Sequence, residues 1–142
     1  MSEFRSPLRL ELVCAWANDG RGKWEFTDDL RYYSDLLQME VVVHKGFQYD
    51  QASVPRVFLV FTLYGGRYAR SAGVHDLYCN NGAIPRDVAD KVFLEAMRVE
   101  NEEELAFYAA EGADEDEMNA HKARLEGKAL AMYAGVLIGA KL

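Results

Sequence analysis

Apolar and polar positions alternate from the start of the chain. Leu8, Leu10, Leu12 and Cys14 interleave with Arg9 and Glu11, which predicts a strand over Leu8–Trp16. Asn18-Asp19-Gly20 with Gly22 reads as a turn. The aromatic-rich run Trp24–Tyr33 predicts a second strand paired with the first, and Ser34-Asp35 breaks it. Val41-Val42-Val43 centres a third strand over Met39–His44, closed by Gly46. The period then changes. Pro55 can open a short helix to Phe61, which Gly65-Gly66 breaks. Tyr68–Cys79 predicts a helix stopped by Asn80-Asn81-Gly82. Pro85 starts another to about Val99, with Ala89, Val92, Phe93, Ala96 and Met97 on one face. Further helices are expected over Glu102–Ala110 and from about Glu117 to Ala140.

The expected fold is α+β: a small N-terminal antiparallel sheet (about 8–45) followed by a helical layer (about 54–140). No βαβ alternation points to a parallel nucleotide-binding sheet. The 142 residues fit one domain, half of them are hydrophobic, and no repeat or low-complexity linker divides them. The N-terminal segment carries charges and has no signal-peptide core. The longest uncharged apolar run, Ala129–Ala140, is shorter than the roughly 20 residues of a membrane span. Cys14 and Cys79 form no CxxC or zinc spacing and read as buried thiols, which suits a cytosolic setting.

Charge is concentrated. The net charge is −7, but nine of the 23 acids fall between Glu100 and Glu117, where no Lys or Arg occurs. Without them the chain would carry about +2. The expectation is an exposed acidic insert over about 100–117. Glu102, Glu103, Glu104, Asp114, Glu115, Asp116 and Glu117 are candidate contacts for a basic protein partner. This balance argues against broad nucleic-acid binding, and the contiguous acids lack the alternating ligands of a calcium loop.

Three places could carry chemistry. At the sheet-to-helix junction, Asp50 and Arg56 could pair and Ser53 could cap a helix. His75 and Asp76 share a helix face with Ala72 and Cys79, and burying them unpaired would be costly. Asp90 lies beside the apolar stripe of the next helix and needs a partner: Arg56, Arg70 or His75. Asp50, Ser53, Arg56, His75, Asp76 and Asp90 thus form a candidate polar cluster. It is either a structural network or a metal site in which His75, Asp76, Asp90 and Asp50 ligate zinc, manganese or iron and activate water. No GxSxG marks a serine nucleophile, and no GxxxxGK[ST] or GxGxxG occurs, so no nucleotide cofactor is expected. Cys79 at i+4 from His75 permits a thiol nucleophile, but it stands near a helix end where the dipole does not activate it. Gly135 and Gly139, at GxxxG spacing, read as a close-packed core helix.

These motifs resemble an uncharacterised family of small proteins of tailed bacteriophages and prophages. Its hallmark GFxxDxASxPR reads here as Gly46-Phe47 with Asp50, Ala52, Ser53, Pro55 and Arg56. The HD doublet is His75-Asp76, and ADxxF is Ala89-Asp90 with Phe93. Met132-Tyr133 ahead of Gly139 is also similar, so the likeness runs over about Val43–Gly139. Two features depart from the family pattern. Leu77-Tyr78-Cys79 shift the aromatic register after the doublet, and the acidic insert is long. The resemblance implies an α+β phage protein and supplies no chemistry. It suggests a virion-associated tail or neck protein without a cofactor, bound to other phage structural proteins or to itself. The alternative expectation is a small metal-dependent hydrolase acting on the cell wall.

Overall fold

A computed structural model of the chain describes residues 1–16, 23–49 and 68–139. The expected order of antiparallel strands followed by helices is present. The strands form two three-stranded sheets. In one, β4 (Leu30–Ser34) lies between β1 (Glu3–Phe4) and β5 (Met39–Val43). In the other, β3 (Lys23–Phe26) lies between β2 (Leu10–Cys14) and β6 (Gln48–Tyr49). The predicted pairing of the first two strands holds, with Leu10 opposite Phe26 and Leu12 opposite Trp24.

The single strand expected over Trp24–Tyr33 is instead β3 and β4, and the chain changes sheets between them. The side chain of Asp29 explains the break. Its Oδ1 accepts the Lys45 N–H at 2.8 Å, while its carbonyl accepts the Ser6 hydroxyl at 3.2 Å. These bonds hold a corner where a continuous strand would need ladder partners. Period-two burial then selects the inner face of β4: Leu30, Tyr32 and Ser34 are buried while Arg31 points out. Opposite them Val41 and Val43 are buried on β5.

Three helices follow: α1 (Ala69–Asn81), α2 (Arg86–Ala110) and α3 (Glu115–Gly139). Gly82 ends α1 in the left-handed region at φ 63°, where its N–H bonds the Tyr78 carbonyl. Pro85 caps the start of α2. The two helices expected over Pro85–Val99 and Glu102–Ala110 are one. No Gly or Pro interrupts residues 86–110, and Asn101 is buried within the helix as a bonding residue. Its amide accepts the Tyr68 hydroxyl at 2.7 Å and donates to the Leu125 carbonyl at 3.1 Å.

The acidic stretch is therefore no insert between helices. Glu100–Ala110 belongs to α2, and only Glu111–Asp114 lie between α2 and α3. Asp114 caps α3 by accepting the Glu117 N–H at 2.8 Å. Glu115, Asp116 and Glu117 fill the first turn, where negative charge suits the helix dipole. Contacts of α2 with α3 pair Asn101 with Leu125, Arg98 with Glu126 and Tyr108 with His121. Rising numbers on one helix meet falling numbers on the other, so the two form an antiparallel hairpin.

The core joins β4 and β5 to all three helices. It includes Phe26, Tyr32, Val43, Val74, Phe93, Met97, Met132 and Val136. Close approach is needed where α1 meets Phe26, because a Cβ added at Gly73 would lie 2.9 Å from its ring. A carboxylate ties sheet to helix as well. Glu95 on α2 accepts the Tyr32 hydroxyl at 2.6 Å, the Ser34 hydroxyl at 2.7 Å and the Leu36 N–H at 2.9 Å. Burial, and then the bond to Glu95, push the Tyr32 phenol upward, so it stays protonated as a donor.

Candidate functional site

His75 and Asp76 lie in the middle of α1, and Asp90 lies in the second turn of α2. All three are buried. Helix packing brings the His75 Nε2 to 2.7 Å from the Asp90 Oδ1, with only 4% and 2% of the two side chains exposed. Arg86, four residues before Asp90 on α2, bonds the same oxygen through its Nε at 3.1 Å. Burial pushes the Asp90 carboxyl up. The bond from His75 and the charge of Arg86 outweigh that, and it titrates below its ordinary range. An ionised carboxylate only accepts, so the imidazole carries its proton on Nε2 in this contact.

The rest of the imidazole faces protein too. Its ring lies 4.8 Å from that of Phe93, centroid to centroid. The Cys79 Sγ is 3.8 Å from Nδ1 and 3.6 Å from Nε2. Burial pushes the Cys79 thiol up to about 11 against a small opposing effect of Arg86. A neutral thiol is a poor nucleophile, so the Cys–His geometry does not produce an activated cysteine. Asp76 accepts a long contact of 3.4 Å from the Asn80 amide one turn on.

Of the six residues of the expected cluster, His75 and Asp90 meet directly and Asp76 is their buried neighbour. Asp50, Ser53 and Arg56, with the helix expected over Pro55–Phe61, lie outside the described residues. Arg70, one of the partners considered for Asp90, is engaged elsewhere. It pairs with Glu100 at 3.1 Å and with Glu103. Sequence reasoning missed Arg86, although its i,i+4 spacing to Asp90 was a usable signal.

It also missed a half-buried carboxylate. Glu100 accepts the Ser71 hydroxyl at 2.5 Å and the Arg70 Nε at 3.1 Å, which again ties α1 to α2. Burial raises its titration range more than Ser71 and Arg70 lower it. A cavity of about 500 Å³ opens beside it, between Pro7, Leu8, Arg70 and Glu103. His75, Asp76 and Asp90 do not line that cavity.

Zinc, manganese or iron would need three or more converging donors. Among the described residues no such group of His, Cys, Asp or Glu is present. The Nε2 of His75 is bonded to Asp90. Chemically, the arrangement locks one His tautomer and neutralises a buried carboxylate. Among the acids considered for docking, Glu102, Glu103, Asp114, Glu115, Asp116 and Glu117 are exposed, whereas Glu104 is half-buried and 3.7 Å from Arg124. No helix among the described residues is long and apolar enough to cross a membrane.

No curated protein and no solved structure matches the chain. The sequence model of the family DUF1353, described as a protein of unknown function, matches residues 24–110. That span runs from β3 to the end of α2 and holds His75, Asp76, Arg86 and Asp90, so the chain belongs to the DUF1353 family of proteins of unknown function.

Proposed function

We propose that this protein is a non-catalytic structural component of a tailed bacteriophage particle, part of the tail or neck assembly. It is made in the host cytoplasm and acts through other phage structural proteins and copies of itself. The phage setting rests on the GFxxDxASxPR, HD and ADxxF motifs. The observation that carries the non-catalytic reading is the 2.7 Å bond between His75 and Asp90, with Arg86 bonded to the same carboxylate oxygen. His75 and Asp90 satisfy each other in a buried position, Arg86 joins them from the surface, and the bond holds α1 against α2. A cluster of this kind stabilises and specifies a fold without needing a ligand. The exposed acids around the α2–α3 turn offer a surface for a basic partner.

A second reading, a small metal-dependent hydrolase acting on the cell wall, rests on the sequence pattern of His75, Asp76, Asp90 and Asp50 alone. Mass spectrometry of purified particles from a phage that encodes this chain tests the first reading. The protein is expected at a defined copy number per particle. Its absence from particles, with abundant protein in the infected cell, would contradict a structural role.

A further inference from the structure

Helix α3 carries two apolar faces. Leu125, Ala129, Met132 and Val136 are buried, and α2 packs on this helix. Ala120, Ala123, Gly127, Leu130, Ala134 and Leu137 are all exposed. Their spacing alternates three and four residues, the repeat that keeps one seam of a helix turned toward a second helix. At about 100° per residue the seam and the buried face point to opposite sides of α3. A helix with two opposite apolar faces is suited to lie between two neighbours.

Gly127 marks the same seam. A glycine weakens a helix interior. A Cβ built at Gly127 meets nothing within 4 Å, so no contact among the described residues calls for its absence.

We propose that this seam docks a second copy of the chain, with α3 antiparallel to α3. Side-chain size selects that occupant and orientation. When the helices run antiparallel, Gly127 faces the partner's Leu130, Ala120 faces the partner's Leu137, and Ala123 faces the partner's Ala134. All six positions are used and each leucine meets a small residue, as interdigitating layers require. A parallel pair would set Leu130 on its own copy and leave a gap at Gly127.

Charge selects the same arrangement. Every ionisable side chain of α3 except Tyr133 lies between Glu115 and Lys128, and Ala129–Ile138 carries no charge. An antiparallel pair lays each charged half on the uncharged half of its partner. A parallel pair would bring the acidic first turns of both copies together, a like-charge juxtaposition. The seam is about 25 Å long, and one helix pair of that length covers less than the roughly 1,200 Å² of a standard interface. The dimer is therefore weak and concentration-dependent.

Sedimentation velocity on the full chain, from about 1 µM to 1 mM, tests this. A reversible shift from monomer to dimer is expected. Gly127→Leu removes the recess for the partner's Leu130 and weakens the dimer about 10- to 100-fold. Its helical circular dichroism should be retained, because the site is exposed and leucine favours helix. Gly127→Leu combined with Leu130→Ala exchanges large and small residues across the seam and restores association. A wild-type monomer at every concentration would overturn the proposal. So would a Gly127→Leu variant that associates as well as the wild type or better, the result expected of a parallel seam or a different interface.

Discussion

The imidazole of His75 and the carboxylate of Asp90 are 15 residues apart in the chain and 2.7 Å apart in space, and their bond fastens α1 to α2. Asp90→Ala would leave His75 buried without its acceptor and free Arg86 from its partner. Breaking a buried pair on one side costs about 3–5 kcal/mol. Replacing both residues, His75→Leu with Asp90→Leu, removes both buried polar partners and restores apolar packing, and should cost less than the single change. Urea unfolding of the three variants measures the difference. Equal losses in the single and double variants would contradict a paired structural role.

Two carboxylates give opposite pH slopes. Asp90 titrates lower folded than unfolded, so its contribution is present above the ordinary carboxylate range and is lost as pH falls through its lowered value. Glu100 titrates higher folded than unfolded, so its contribution is present at low pH and is lost as pH rises through its raised value. Asp90→Asn should therefore flatten the acid-side loss of stability, and Glu100→Gln should flatten the loss on going from acid toward neutral pH. Chemical denaturation midpoints taken from pH 3 to pH 8 check both signs.

Gly73→Ala sets a helix preference against a contact. Alanine favours a helix interior over glycine by about 0.5–1 kcal/mol. The added Cβ would sit 2.9 Å from a ring carbon of Phe26, which is 1% exposed and has little room to shift. Overpacking of this kind costs about 1–3 kcal/mol. The net expectation is a loss of roughly 1–2 kcal/mol in thermal or urea unfolding, whereas a gain would show that Phe26 repacks freely.

Cys79 should behave as an inert thiol. With its titration pushed up to about 11, about one molecule in ten thousand holds a thiolate at neutral pH. Alkylation by iodoacetamide in the folded state is expected to lag far behind that of an exposed model thiol and to accelerate as pH rises toward 11. Rapid modification at pH 7 would revive the nucleophile reading.

Much of the architecture was legible because its signals are local. Alternation around Leu10, the valines of β5, the glycine after Asn81 and the proline before Arg86 each act within a few residues, and each falls at or near an element boundary. The misreadings came from contacts that the local pattern does not encode. Asp29 turns the chain between β3 and β4 by bonding Lys45, and Asn101 stays helical while bonding Tyr68 and Leu125. The acidic run read as an insert between two helices, because its charge density was visible but the continuity of α2 through Asn101 and the capping bond of Asp114 were not. For the site, burial cost singled out His75 and Asp90, since polar groups on apolar faces need partners. Arg86 was readable from i,i+4 spacing, whereas Glu100 owes its role to the packing of α1 on α2.

The most direct test of the central claim, that the His75–Asp90–Arg86 cluster is a structural tie and not a metal centre, is elemental analysis of the purified full chain. It is paired with the same measurement on His75→Ala, with folding followed by circular dichroism. The account predicts no stoichiometric zinc, manganese or iron in either protein and a loss of stability in the variant. One equivalent of metal in the wild type, lost in a His75→Ala protein that keeps its fold, would contradict it.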